Sequence, residues 1–291
     1  MGDAGMSVLE RNRCHFTIVL LAVFAFLASG WLDGSAIAQE FRVYTKVYNL
    51  ALPPGGNDKG KSAVIARSLS LFQAGLVYDY ILSADEVVVF DVGNRRFTLL
   101  NKSRKLATVV TFDELERLLR KSRAVTEKYL DELKSSNDRK AIAALRFQLG
   151  PRFKEQANAG SKRLTLSSST LGYDVKCASP KVPEAVETYL RYTDWTAKLN
   201  HILHPQALLP EPRIALDRRL RERKWLPVTV ELRGDSGTPL LRAEHQFHWS
   251  LDSKDRNFIG SWKKMLRDPQ TRRVNFREYQ RVLLGTVSTD R

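Results

Sequence analysis

From Gln39 onward, apolar and polar residues alternate in short runs. "FRVYTKVYNL" sets Phe41, Val43, Thr45 and Val47 on one side of a strand and Arg42, Tyr44, Lys46 and Tyr48 on the other. "ALPPGGNDKGK", with Pro53, Pro54, Gly55 and Gly56 together, reads as a loop. "SAVIARSLSLF" and "LVYDYILS" follow, split at Gln73-Ala74-Gly75. "EVVVFDV" turns at Gly93-Asn94 into "RRFTLLN", and Lys102-Ser103-Arg104-Lys105 turns that strand into "LATVVT". Short strands joined by such short turns predict an antiparallel meander of six strands.

The period then changes to that of a helix. Thr111 followed by Glu114 has the form of a capping box. Leu115, Leu118, Leu119, Val125, Tyr129, Leu130 and Leu133 recur at helical spacing, and Ser135-Ser136-Asn137-Asp138 divides this stretch from a second helix ending at Gly150-Pro151. "SKRLTLSSSTLGYDVKCAS" alternates again and predicts a hairpin. "PKVPEAVETYLRYTDWTAKLNHILHP" predicts a long helix with Pro183 near its start, Glu184 and Glu187 in its first turns and Pro205 as a stop. Its stripe of Tyr189, Tyr192, Trp195, Leu199 and Ile202 must pack on something large. A short basic helix, "PRIALDRRLRERK", precedes the strands "LPVTVELR" and "PLLRAEHQFHWSL". "NFIGSWKKMLRD" and "FREYQRVLLG", the latter capped by Asn275, predict two closing helices. Strands and helices in this segregated order give an α+β class, not a doubly wound fold.

Before Gln39 the pattern is that of an export signal. Arg11 and Arg13 lead, Phe16 to Ala28 is apolar or small, and Ala36-Ile37-Ala38 offers small residues for cleavage. We therefore expect residues 1–38 to be a signal peptide and residues 39–291 to be one α+β domain, periplasmic or extracellular, with membrane attachment only through an uncleaved signal. Cys14 falls within the signal and leaves Cys177 alone, so no intramolecular disulfide can form. Within "GYDVKCAS", Cys177 reads as a small buried apolar residue.

Charge adds a class of partner. The formal net charge is +15 and becomes +16 without residues 1–38, which favours polyanions. The cations gather as Arg218, Arg219, Arg221, Arg223 and Lys224, as Lys263, Lys264 and Arg267, and as Arg272 and Arg273, with Trp225 and Trp262 adjoining. Outside the cytoplasm the fitting partner is an acidic envelope polymer or an anionic lipid surface rather than nucleic acid.

Catalytic motifs do not gather around a reaction. "ELRGDSGTPLL" contains the Gly-Asp-Ser-Gly of serine proteases and the Arg-Gly-Asp of adhesion ligands. The histidines His201, His204, His245 and His248 are not where a protease would carry its base, and alternation on both flanks predicts a hairpin turn with Ser236 at its tip. His245 and His248 lie three apart on a strand and point to opposite faces. His201 and His204 could share an ion on a helix but lack a third ligand, so no metal site is expected. Asp79 and Asp91 interrupt strand patterns, and no cofactor fingerprint is present.

The segment "FRVYTKVYN...VVVFDVGNRRFTLLNKSRKLATVVTFDEL" resembles the sheet half of secreted bacterial proteins related to the lipoprotein carriers (LolA/LolB-like). The resemblance implies an incomplete antiparallel barrel, a curved sheet wrapping helices on its concave face, with an apolar groove for an acyl chain. The expectation is a non-enzymatic exported binding or envelope-associated protein with a lipid or other apolar ligand between sheet and helices, and with Tyr189, Tyr192 and Trp195 facing the groove. Two alternatives are a hydrolase of envelope polymers using carboxylates or His201 and His204, and a polyanion-binding surface protein.

Overall fold

The alternation that begins at Phe41 continues into a sheet of twelve strands, paired in the order β12-β6-β5-β4-β3-β2-β1-β11-β10-β9-β8-β7 and not closed into a barrel. In chain order the elements are β1 (Phe41–Asn49), β2 (Ala63–Gln73), β3 (Leu76–Ile81), β4 (Glu86–Asp91), β5 (Arg96–Asn101), β6 (Leu106–Thr111), α1 (Phe112–Leu133), α2 (Arg139–Leu149), β7 (Lys154–Asn158), β8 (Arg163–Ser167), β9 (Gly172–Ala178), α3 (Glu184–Leu203), α4 (Glu211–Arg223), β10 (Leu226–Arg233), β11 (Pro239–His248), α5 (Ser253–Arg267), β12 (Arg272–Arg273) and α6 (Phe276–Leu283). The computed structural model describes residues 40–51, 63–134, 138–283 and 285, all within the compact unit Gln39–Arg291. The signal-like residues 1–38 and most of the Pro-Gly loop lie outside the described residues.

Among the described residues all pairings are antiparallel except that of β12, which runs parallel to β6. The meander β1–β6 follows the predicted turns. β1 then joins two halves of the molecule: one edge takes β2 and the other takes β11, with Thr45 opposite His245. The hairpin predicted over 161–179 forms as β8 paired antiparallel with β9, and β7, which lies before that stretch, adds an unpredicted third strand on β8. β7 reads Lys-Glu-Gln-Ala-Asn and buries none of these side chains, so it carries no apolar pattern to recognise.

Side chains alternate between two apolar layers. On one face Phe41, Val43, Phe72, Val77, Phe90, Phe97, Leu99, Val110, Leu164 and Val175 meet α1, α3, α4 and α6. On the other, Leu71, Tyr78, Val87, Val89, Leu100 and Ala107 meet Phe258, Ile259, Trp262, Met265 and Leu266 of α5. Helices thus lie on both faces, where the lipoprotein-carrier resemblance implies them on one. The reason is visible in β4: Val87, Val88, Val89 and Phe90 are all buried, and a strand apolar on both sides needs a cover on both.

Local chemistry fixes where α5 lies. The Asp252 carboxylate accepts from Asp255 N (2.9 Å), and the Asp255 carboxylate accepts from Asp252 N (3.0 Å), forming a reciprocal cap. Arg42 Nη1, from β1, donates to both carboxylates at 2.7 Å. Trp262 then lies between Tyr78 and Tyr80, with ring centroids 6.4 and 5.6 Å away. α1 starts at Thr111, whose Oγ1 accepts from Glu114 N at 3.1 Å, half of the capping box that the sequence suggests, and α6 starts with Asn275 Oδ1 accepting from Glu278 N at 2.9 Å.

Candidate functional site

Where α5 ends, the sheet face it covers is left open. Thr98 of β5 lies opposite Val109 of β6, and Leu100 lies opposite Ala107. α5 covers Leu100 and Ala107 but stops at Arg267, so Val109 remains 41% exposed on an otherwise covered apolar face. The chain returns beside β6 as β12, held by Arg272 N to Lys105 O (2.8 Å) and Val274 N to Ala107 O (3.0 Å). Between them lies a cavity of about 440 Å³. Its apolar surface comes from Ala107, Val109, Leu266 and Val274, and Arg96, Lys263, Arg267 and Arg273 supply four cations. No carboxylate and no histidine is among its lining residues.

Spacing explains the convergence. Lys263, Leu266 and Arg267 stand at i, i+3 and i+4 on α5 and share one face. Arg96 and Thr98 stand at i and i+2 on β5 and share the sheet face below. The Lys263 ammonium lies 5.6 Å from the centre of the Tyr78 ring. Arg273 Nη2 donates to Leu266 O at 2.7 Å, and Arg96 lies 3.5 Å from Asp91. Arg267 has no hydrogen-bond or ion-pair partner among the described residues.

Of the basic residues singled out in sequence, Lys263, Arg267 and Arg273 therefore meet at the cavity, and Lys264 is exposed nearby on α5. The α4 cluster is of a different kind. Arg219 bonds Glu222 (2.9 Å) and reaches Glu155 (3.1 Å), Arg221 bonds Glu187 (2.6 Å) and Asp194 (2.8 Å), and Arg223 also pairs with Glu155. Only Arg218 and Lys224 stand exposed there without an acid among the described residues, and Lys224 is the left-handed cap of α4 (φ 55°). The two clusters differ in kind, because most of the α4 charge is already neutralised by its neighbours.

Tyr189 and Tyr192 are buried in the core, and Trp195 packs half-buried at its edge. Tyr189 meets Phe72 and Phe247, Tyr192 meets Phe72 and Phe90, and Trp195 stacks on Phe112 at 3.8 Å. None borders the 440 Å³ cavity or three smaller ones of about 190 to 240 Å³. The hollow between α1 and α4, about 220 Å³, differs electrostatically from the cationic cavity: its Arg123 pairs with Glu211 (2.9 Å) and its Lys198 with Glu116 (3.6 Å).

Beneath these helices the sheet carries buried polar groups. Asp79 accepts from Ser70 Oγ at 2.7 Å, and burial raises its pKa against the lowering effect of that bond and of Tyr192. Glu86, also raised by burial, accepts from Tyr279 Oη. His245 Nδ1 lies 3.0 Å from Thr45 Oγ1 and 3.4 Å from Tyr189 Oη, while Nε2 is buried with no partner among the described residues. Burial, and secondarily the Arg213 charge, depress His245 to about 3, so it is neutral at ordinary pH. Arg213 in turn binds Asp217 at 3.0 Å, and Thr193 Oγ1 donates to the same carboxylate at 2.9 Å.

The hydrolase candidates do not assemble. His201 Nε2 lies 2.8 Å from Ser122 Oγ and its Nδ1 lies 3.1 Å from Ala207 O. Ser122 stands in the middle of α1, where backbone N–H groups are used along the helix and none is free for an oxyanion. His204 caps the end of α3, and no group of three metal-ligating side chains occurs among the described residues. Asp91 ends β4: burial would raise its pKa, but the Asn94 side chain and N–H, with Arg96, bring it below the usual value. Burial pushes the Cys177 thiol up to about 12, so the thiolate needed for reactivity is scarce at neutral pH.

The turn "RGDSGT" joins β10 to β11 through Gly234 N to Thr238 O (2.9 Å) and Gly237 N to Gly234 O (3.0 Å), with Gly237 at φ +74°. Ser236 is exposed, and its Oγ lies 2.7 Å from Thr238 Oγ1 rather than beside a histidine. Asp235 pairs with Lys140 of α2 at 2.6 Å.

No protein-family model and no curated protein matches the chain. Among solved structures, one with similarity is an uncharacterized conserved protein from Thermus thermophilus, 8% identical, with 82% of this chain and 91% of that one covered and a TM-score of 0.33. At that score the likeness carries no argument about activity or ligand.

Proposed function

We propose that the chain is an exported, non-enzymatic binding protein that holds an amphiphilic ligand between the sheet and α5. The observation that carries this reading is the uncovered Val109, enclosed with Ala107, Leu266 and Val274 in a cavity of about 440 Å³. Ligand sites typically measure roughly 300–1,000 Å³ with mostly apolar linings. Hydrocarbon placed against these side chains leaves water at a gain of about 25 cal/mol per Å². A lining without carboxylate or histidine favours binding over turnover. The lipoprotein-carrier pattern of the meander supports an acyl chain as the apolar part. In this reading the sheet curves around α1, α3 and α4, and the ligand sits on the face opposite to them.

Calorimetric titration of the full chain with decanoate, decyl phosphate and decyl maltoside below their micelle concentrations tests the reading. Saturable binding of at least one is expected, and it should be abolished by Val109→Trp, which fills the cavity from an exposed position and should leave Tm unchanged. If none of the three binds, the proposal fails.

A further inference from the structure

We infer that the ligand's head is an oxyanion, a carboxylate or a phosphate, held chiefly by Arg267 and Lys263 at the mouth of the cavity. This rests on the binding reading above and adds the chemical class of the ligand.

Three of the four cations around the cavity, Lys263, Arg267 and Arg273, have no acid partner among the described residues. In α4, by contrast, Arg219, Arg221 and Arg223 find carboxylates in Glu155, Glu187, Asp194 and Glu222. At the cavity Arg267 has no partner among the described residues, Lys263 has only the face of Tyr78, and Arg273 gives one N–H to a backbone carbonyl. The acid that does reach the group, Asp91, approaches Arg96 at 3.5 Å and is itself engaged by Asn94 at 2.7 and 3.0 Å.

A helix end explains part of this and no more. Cations in a last turn interact favourably with the free carbonyls, which accounts for Lys264 and Arg267 near the end of α5. It does not account for Arg96, on a strand, or Arg273, on the segment beyond, lining the same hollow. Like charges four residues apart on a helix repel, so Lys263 and Arg267 side by side are disfavoured unless an anion lies between them. Guanidinium groups present paired N–H donors that match the two oxygens of a carboxylate or the face of a phosphate.

The apolar lining decides between a lipid-like anion and a polymer. A repeating polyanion is recognised by spaced cations and has no use for a floor of Ala107, Val109 and Leu266. An anion with a hydrocarbon tail uses both halves of the lining.

The matched decyl series separates this inference from the one it rests on. Decanoate and decyl phosphate should bind at least about tenfold more tightly than decyl maltoside, the worth of one charge-assisted hydrogen bond. Arg267→Ala and Lys263→Ala should each weaken the two anions about tenfold and leave decyl maltoside unchanged, as should raising the salt to a level that screens exposed charge. Both residues are exposed, so an unchanged Tm serves as the control on folding. Whichever anion binds more tightly identifies the head. Equal affinity for all three compounds would overturn the anionic head while leaving the binding reading intact. Failure of all three would remove both, and binding of a heparin fragment without any decyl compound would assign the cations to a polymer instead.

Discussion

His245 shows how a residue that looks functional in sequence acquires a structural role. Its ring is buried between β1 and α3, with Thr45 and Tyr189 on one nitrogen and no partner among the described residues on the other. The folded pKa of about 3 lies below the ordinary 6.5, so the native state excludes a proton that the unfolded chain accepts. Stability from this residue is complete above pH 6.5 and is lost as pH falls toward 3, at about 1.4 kcal/mol for each pH step between the two values. His245→Leu should flatten the decline of Tm across that window, as followed by thermal melts from about pH 7 to 4. Asp79 has the opposite sign. Its raised pKa means that the buried carboxyl is tolerated when protonated and costs stability as pH rises through the folded value. Asp79→Asn should therefore gain Tm relative to the parent as pH rises from about 4 to 8, and a constant difference between the two would refute the assignment. At this scale the sequence marked Asp79 and the histidines as unusual, but whether they lie under helices depends on packing that local spacing does not encode.

At the scale of elements, most of the secondary structure was legible because its signals are local. Thr111, Asn275 and the Pro183 start of α3 stand where the caps and periodicity put them. Thr111→Ala should cost about 1 kcal/mol through loss of the bond to Glu114 N, measurable by urea unfolding. β7 was not legible, since an edge strand that buries nothing has no pattern. The placement of α5 was not legible either, although β4 held the clue: four successive buried apolar residues mean two covered faces. Trp262 is the anchor of that second layer. Trp262→Ala should cost about 3–5 kcal/mol and expose Tyr78 and Tyr80, seen as a lower urea midpoint and greater dye binding.

For the whole molecule, the net charge suggested a polyanion partner without saying which cations were free. Ion pairs decide that, and they depend on which elements the fold brings together. Glu155, on the patternless strand β7, pairs with Arg219 and Arg223. The sequence therefore named Lys263, Arg267 and Arg273 but could not rank them above the α4 cluster, and it offered no reason to add Arg96 or Val109. A double variant Lys263→Ala/Arg267→Ala should lower the salt dependence of heparin retention by about 1 per cation removed, with Tm unchanged. Arg219→Ala/Arg223→Ala should change retention less and lower Tm.

The pairing of β1 with β11 has a consequence in time. Thr45 and His245 are bonded neighbours although 200 residues separate them. At about 5–20 residues per second, a ribosome needs roughly 10–40 s to make that span. Throughout that interval β1 presents one open strand edge, with Phe41 and Val43 beside it, to whatever the cell supplies. An edge exposed for so long invites pairing with another chain. The first half of the sheet can form early, but the β1 edge is closed only once β11 has been made.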